Sequence, residues 1–204
     1  GRMGLAQGMA IRVHYVNEPV VNAFATLGGH VAVYRGLLER MPDENTLAMI
    51  VAHEIGHARH RHPIASLGRG VAFAAALTTL SAGAGGRGAE TVLSNAGMLT
   101  LLSFSRGQEE EADAAGIAAL VQVYGHAGGA TDTFRILRGL AAESGRVEPP
   151  RFLNTHPLTL ERVERLAALV GRNGWTADGT RIPIPERVRG AVASDAGTPK
   201  ADRS

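Results

Sequence analysis

The residues best suited to chemistry lie in the segment 51–62, VAHEIGHARHRH, which places four of the chain's eight histidines around one glutamate. His53 and His57 are four residues apart, so on a helix their imidazoles share one face, one turn apart. That geometry lets both rings bind one tetrahedral zinc ion. Glu54 would then lie beside the metal, where it can accept a proton from the water that zinc activates. The segment therefore predicts a catalytic zinc site.

The helix that carries this motif is predicted to run from about Glu44 to Arg61 and to end before Pro63. Apolar residues surround the motif at helical spacing, which indicates a buried helix. Buried imidazole and carboxylate groups need partners, because desolvation without them costs several kcal/mol. A metal ion supplies such a partner.

Two more histidines, His60 and His62, follow in the same segment. His60 is three residues past His57 and could approach the metal from the same face. Both histidines are nevertheless flanked by Arg59 and Arg61, and charged residues usually mark a solvated face. We therefore expect His60 and His62 to be exposed and to take no part in the metal site.

A third ligand is expected from the acidic segment SRGQEEEADAAG, residues 105–116. Glu109 and Asp113 are four residues apart and share a helix face, whereas Glu110 and Glu111 point elsewhere. The spacing suits Glu109 as a zinc ligand, with Asp113 accepting the N–H of a ligating histidine and so fixing its tautomer. The alternative is a solvated acidic helix start, which the helix dipole favours.

The elements that must position these residues follow from local patterns. Residues 9–15 and 29–35 alternate apolar and polar side chains, which predicts strands. Further helices are predicted at about residues 106–123, 131–143 and 158–170. Residues 70–86 and 91–105 are uncharged but shorter than the roughly 20 residues that span a membrane. They are expected to be core helices or a cover over the cleft, with a membrane-dipping hairpin as the alternative.

The composition of the chain limits both its possible partners and its possible metal ligands. The formal net charge is +2, aromatic residues make up 4% of the chain, and there is no run of Lys or Arg. Nucleic-acid binding needs clustered positive charge, so we expect no nucleic-acid partner. The chain has no cysteine, so a zinc site must be built from histidine and carboxylate.

Taken together, the H-E-x-x-H segment and the later S-R-x-x-E-x-x-A-D-x-x-G motif resemble the gluzincin family of HtpX, the CAAX prenyl endopeptidases and the periplasmic proteases BepA and LoiP. Two further segments are similar to that family, NAFATLGGHVAVYRGLL (22–38) and NTHPLTLERVERL (154–166), so the resemblance covers roughly residues 20–168. It implies an α+β, mainly helical fold. That fold is a zincin-like metalloprotease domain with a small edge-exposed β-sheet packed on the HExxH helix.

The resemblance also implies a role for each matching residue. One Zn²⁺ per chain would be held by His53, His57 and Glu109, with Glu54 as the general base and Asp113 as the partner of a ligating histidine. His156 would be either a fourth ligand that quiets the resting enzyme or a donor to the tetrahedral intermediate, and Arg162 a donor or an orienting group for that loop. An extended peptide would pair with an edge strand formed by Gly29, His30, Val31, Ala32 and Val33.

Residues 1–170 are expected to form the metallopeptidase domain, and residues 171–204 an extended segment that is disordered from about residue 191. The expected function is zinc-dependent endoproteolysis in protein quality control of the bacterial cell envelope. The expected partners are unfolded or misassembled protein substrates, together with a membrane surface or the envelope assembly machinery.

The expected location is the periplasm, and the opening GRMGLAQGMA leads us to expect that an export signal or anchor precedes it. Two alternatives remain. One is a latent zinc-site chaperone or assembly factor with little proteolysis, and the other is a zinc hydrolase acting on something other than protein.

Overall fold

The computed structural model describes residues 9–83, 103–143 and 150–196. Within them one three-stranded sheet is formed by β1 (Arg12–Val16), β2 (Ala23–Ala25) and β3 (His30–Tyr34). β3 is the central strand, with β1 parallel on one side and β2 antiparallel on the other. The turn between β2 and β3 contains Gly28 and Gly29 at φ values of 77° and 79°, a conformation that glycine adopts without strain.

Helices make up most of the described chain. In chain order they are α1 (Arg35–Arg40), α2 (Glu44–Arg59), α3 (His62–Gly83), α4 (Arg106–Tyr124), α5 (Ala130–Ala142), α6 (Phe152–Thr155), α7 (Leu160–Arg172) and α8 (Glu186–Ala196). The sheet packs against α2 through buried residues such as Ala23 and Val31, which belong to the same apolar core as Ala52 of α2. The predicted α+β, mainly helical fold with a small sheet on the motif helix is confirmed.

The motif helix α2 begins where the side chain of Asp43 accepts a hydrogen bond from the Thr46 N–H at 2.8 Å. It ends at Arg59, two residues earlier than the sequence predicted. Arg61 then adopts a left-handed conformation with φ of 57°, and α3 begins at His62. Pro63 therefore lies in the first turn of the next helix, where its missing N–H breaks no helical hydrogen bond.

Two glycines let α2 and α4 approach each other closely. A Cβ added to Gly56 would lie 3.1 Å from Cα of Ala112, and one added to Gly116 would lie 2.9 Å from Cε of Met49. α4 itself begins with a capping box in which Ser105 and Gln108 exchange side-chain and backbone hydrogen bonds. The short distance between the helices brings the carboxylates of α4 to the histidines of α2.

The segment after α7 is tied to the start of α2. The Ile182 N–H donates to Oδ1 of Asn45 at 2.9 Å, and the Glu44 N–H donates to the Ile182 carbonyl at 2.7 Å. The predicted disorder from about residue 191 is wrong for residues 191–196, which continue α8. Val192 is buried there, and that apolar anchor outweighs the polar composition of the segment. Residues 197–204 lie outside the described residues.

The apolar segment 70–86 forms part of α3 as far as Gly83. Most of the second apolar segment, 91–105, lies outside the described residues. The prediction that it covers the cleft therefore also concerns residues outside the described ranges. No helix in the described ranges is both long and apolar enough to cross a membrane.

Candidate active site

Two helices and one loop bring the predicted site residues together. α2 supplies His53, Glu54 and His57, α4 supplies Glu109, and His156 follows α6. All five residues are 4% exposed or less. Ligand atoms of His53, His57, Glu109 and His156 lie within 4.8 Å of one another, so they could share one metal ion.

The separations between these atoms fit a tetrahedral metal. Nε2 of His53 lies 3.0 Å from Nε2 of His57 and 3.5 Å from Oε2 of Glu109, and Nε2 of His57 lies 3.4 Å from Oε1 of Glu109. Zinc bonds of about 2.0–2.1 Å at tetrahedral angles place ligand atoms roughly 3.3 Å apart. The donor set of two imidazoles and one carboxylate also matches the catalytic zinc sites that keep one position for water.

His53 is oriented by a buried pair that we call the inner clamp, Asp113 and Arg162. Nδ1 of His53 lies 2.9 Å from Oδ1 of Asp113. Arg162 donates two hydrogen bonds of 2.8 Å to that carboxylate, and its Nη1 is 2.6 Å from Oε2 of Glu109. Burial alone would raise the pKa of Asp113, but His53 and Arg162 outweigh it and hold this pKa below its usual value.

Arg162 is itself almost fully buried and lies over the Phe134 ring, with its guanidinium carbon 4.7 Å from the ring centroid. Its Nη1 also donates to the Pro157 carbonyl at 3.2 Å, next to His156. The guanidinium therefore connects Asp113, Glu109 and the loop that carries His156.

His57 is contacted by a second pair, His62 and Glu111, which we call the outer relay. Nδ1 of His62 lies 2.9 Å from Nδ1 of His57, and Nε2 of His62 lies 2.9 Å from Oε2 of Glu111. His62 is only 4% exposed, so the prediction that it is an exposed bystander is wrong. His60 is exposed, as predicted. Glu111 does not belong to the group of four possible ligands, but it has a partner in His62.

The reason for the error about His62 is the break between α2 and α3. On a continuous helix a residue five positions after His57 would lie about 140° around the axis. The left-handed Arg61 interrupts the helix and turns His62 back toward His57. A signal was present in the sequence, because Pro63 favours the first turn of a new helix.

Glu54 is fixed by the sheet. Its Oε2 accepts a 2.7 Å hydrogen bond from the Ala25 N–H of β2. Its Oε1 is buried and forms no hydrogen bond with the described residues, although it lies 3.2 Å from Nε2 of His156. Burial raises the pKa of Glu54 above the usual value of a glutamate.

His156 and Glu109 form a close pair in which Nδ1 of His156 lies 2.9 Å from Oε1 of Glu109. Burial opposes charge on both groups, but their attraction prevails. Glu54 and Glu109 raise the pKa of His156, and the hydrogen bond from His156 together with the nearby histidines lowers the pKa of Glu109. For His57, burial dominates and lowers the pKa to about 2. His57 is therefore a neutral imidazole, the form that binds metal.

The strand predicted to bind substrate is not at an edge. His30, Val31, Ala32 and Val33 belong to β3, which pairs on both sides, and Gly29 lies in the preceding turn against the Ala10 carbonyl. The expectation that this strand is the free edge is wrong, because β1 closes one side of it. The strand adjoining Glu54 at a sheet edge is β2.

Aromatic rings that the sequence did not single out surround the histidines. Phe104 stacks on His57 with ring centroids 3.9 Å apart, and Phe152 stacks on His156 at 4.3 Å. An adjacent cavity of about 340 Å³ is bounded largely by apolar side chains, among them Phe24, Leu27, Pro63, Leu67 and Phe104, and it reaches His156.

Comparison with known proteins agrees with this geometry. The model of peptidase family M48 matches residues 5–170. A beta-barrel assembly-enhancing protease of Yersinia pestis is 35% identical over 161 residues, covering 74% of this chain and 32% of the relative. The mitochondrial metalloendopeptidase OMA1 of Schizosaccharomyces pombe is 32% identical over 156 residues, covering 76% of this chain and 45% of the relative. The chain thus spans less than half the length of either relative.

Proposed function

This chain belongs to peptidase family M48, and on that premise we propose that it is a zinc-dependent endopeptidase. His53, His57 and Glu109 hold the metal, and Glu54 is the general base. The observation that carries the proposal is the convergence of two imidazole Nε2 atoms and one carboxylate beside a buried glutamate.

Zinc bound there would lower the pKa of a water molecule toward neutrality and polarise the scissile carbonyl group. The chain's own residues move the proton. The Ala25 N–H occupies Oε2 of Glu54, so Oε1 accepts the proton of the attacking water. Burial raises the pKa of Glu54, which favours acceptance of this proton, and the carboxyl group then passes it to the leaving amine.

His156 has the position of a group that restrains the resting site. Its ligand atom belongs to the same cluster as those of His53, His57 and Glu109. A site closed by four protein ligands leaves no position for water, whereas a catalytic site keeps one open. His156 therefore acts as a fourth ligand that must withdraw before hydrolysis. The alternative, a donor to the oxyanion, would make its removal lower the rate instead.

The substrate is an extended peptide that lies along β2, because that edge strand holds Glu54 through Ala25. The apolar cavity beside His156 accepts one large apolar side chain of the substrate. Both features suit unfolded protein, in which apolar side chains and extended backbone are accessible.

The physiological setting is inferred from the relatives. The Yersinia relative is a beta-barrel assembly-enhancing protease. By analogy this chain acts on misassembled proteins of a bacterial cell envelope, in the periplasm and close to a membrane surface or the assembly machinery. A latent zinc-site assembly factor is the second candidate, which the four-ligand cluster with His156 favours.

Zinc content and cleavage of an unfolded protein such as casein, measured on the same samples, test the proposal. Glu54→Gln should keep one zinc per chain and lose about 10²–10⁴-fold in cleavage rate. Glu109→Ala should lose zinc, and His156→Ala should keep zinc with equal or higher activity. Glu110→Gln, a neighbouring exposed carboxylate, is the matched control.

Full zinc occupancy in Glu109→Ala would contradict the ligand assignment. Undiminished cleavage by Glu54→Gln would contradict the assignment of the base. Zinc retained in every variant except Glu109→Ala, with no cleavage by wild type or His156→Ala, would favour the latent assembly factor.

A further inference from the structure

We infer that His62 and Glu111 are positioning residues that keep the proton of His57 on Nδ1 and so direct the Nε2 lone pair of His57 at the metal; the inference rests on the site proposed above. Neither residue is a proposed metal ligand. His62 begins α3, and Glu111 lies on α4, so the relay joins three helices at the metal site.

The contact between His62 and Glu111 determines which nitrogen of His62 donates a hydrogen bond and which accepts one. An ionised carboxylate only accepts hydrogen bonds, so Nε2 of His62, 2.9 Å from Glu111, must carry a proton. Burial disfavours a doubly protonated imidazole, and a neutral one carries a single proton. Nδ1 of His62 is therefore an acceptor.

The shorter contact of His57, the one with His62, then assigns the proton at the inner end. Nδ1 of His57 lies 2.9 Å from the accepting Nδ1 of His62, so the proton between them belongs to His57. A neutral His57 protonated at Nδ1 has its lone pair on Nε2, the atom that lies 3.0 Å from Nε2 of His53. Two facing lone pairs repel each other unless a cation lies between them, so the relay prepares the site for metal before metal arrives.

His62 accepts the Nδ1–H of His57, as Asp113 accepts that of His53, but the acceptor is a neutral ring instead of a carboxylate. Partners of this kind fix the tautomer and orientation of a ligating histidine, and their removal typically lowers metal affinity about 10- to 100-fold. The structure also offers a competing arrangement, because His60, His62 and Glu111 could hold a metal of their own. In that case Nε2 of His62 would carry no proton.

Substitution at position 62 separates hydrogen bonding from packing. His62→Phe fills the same space but accepts no hydrogen bond, whereas His62→Asn places an amide oxygen near the former Nδ1 and can accept from His57. We expect zinc affinity, measured by competition with a chromophoric chelator, to fall about 10- to 100-fold in His62→Phe. His62→Asn should stay within a few-fold of wild type. The matched control is His60→Ala, an exposed histidine in the adjoining turn, which should leave the affinity unchanged.

A measurement without metal guards against loss of folding in a variant. Imidazole ¹⁵N NMR of the metal-free wild-type chain should show His57 as the Nδ1–H tautomer. An Nε2–H tautomer there, or equal losses of zinc affinity in His62→Phe and His62→Asn, would overturn the inference. So would a second zinc per chain that disappears in His60→Ala. If wild type binds no zinc at all, the proposed function fails first; if it binds zinc and His62→Phe binds as tightly, the relay alone fails.

Discussion

The inner clamp and the outer relay orient the two histidines of one motif by different physical means. On the inner side a buried carboxylate contacts His53 and is held by two hydrogen bonds from a buried arginine. On the outer side a neutral ring contacts His57 and is held by Glu111, whose side chain is 58% exposed. The inner clamp is thus a closed network of charges in low dielectric, and the outer relay ends in water.

Histidine orientation and fold stability can therefore be supplied by different residues. A buried ion pair is costly to break, because the remaining partner is left charged and unsolvated. An exposed carboxylate contributes little to stability, since water replaces its partner. The inner clamp should therefore serve both the fold and the metal, whereas the outer relay should serve mainly the metal.

The largest effect is expected from breaking the inner clamp. Asp113→Ala leaves Arg162 buried without its main partner, so the free energy of unfolding should fall by about 3–5 kcal/mol. Glu111→Ala, the corresponding change at the outer end, should stay within about 0.5 kcal/mol of wild type. Chemical denaturation with a chelator present measures both. Equal losses in the two variants would remove the distinction between the two sides.

The next effect concerns the contact between helices on which both sides depend. Gly56→Ala places a Cβ 3.1 Å from Cα of Ala112, so α2 and α4 must separate slightly. We expect a loss of about 1–3 kcal/mol in unfolding free energy, together with weaker zinc binding. Gly139→Ala in α5 is the control, because its Cβ meets nothing within 4 Å. That change should stabilise the chain by about 0.4–1 kcal/mol. A Gly56→Ala variant as stable as this control would show that α2 and α4 have room for the added methyl group.

Acid should weaken the outer relay at a higher pH than the inner clamp. Burial lowers the pKa of His62, so its contribution is present above its unfolded value of about 6.5 and is lost as pH falls through the folded value. The pKa of Asp113 is also lowered, so its contribution is present above about 3.9 and is lost only in stronger acid.

Unfolding of the metal-free chain at pH 7, 5.5 and 3.5 measures this order. The advantage of wild type over His62→Phe should already be smaller at pH 5.5 than at pH 7. Its advantage over Asp113→Asn should hold at pH 5.5 and shrink by pH 3.5. The reverse order would mean that the two sides have been assigned the wrong protonation behaviour.

The smallest effect is expected from His60→Ala. His60 is exposed, and its Nδ1 lies 3.8 Å from Oε2 of Glu111, at the limit of an ion pair. Stability should change by no more than about 0.5 kcal/mol, and zinc affinity should not change. A loss of zinc affinity comparable to that of His62→Phe would extend the relay to a third histidine.

The two carboxylates of α4 on the inner side could be foreseen from the sequence, and the outer relay could not. Glu109 and Asp113 share a face because they are four residues apart on one helix, and that local geometry survives in the fold. His62 depends on a left-handed residue at a helix break, which spacing on a continuous helix misrepresents. Residue spacing describes an element well but not the break between two elements.

Contacts between residues far apart in the sequence could not be predicted either. Arg162 meets Asp113 from 49 residues away, and no local pattern specifies that pairing. The family resemblance implied a role for Arg162 but did not identify its hydrogen-bond partners. The sheet shows the same limit, since strand alternation predicted β1 and β3 but not the short β2 that holds Glu54.

Anomalous diffraction at the zinc absorption edge, on crystals of the zinc-loaded chain, would locate the metal ion directly. One peak per chain should lie within bonding distance of Nε2 of His53, Nε2 of His57 and the carboxylate of Glu109. A principal peak between His60, His62 and Glu111, or the absence of any peak at His53 and His57, would contradict the proposed metal centre and the mechanism built on it.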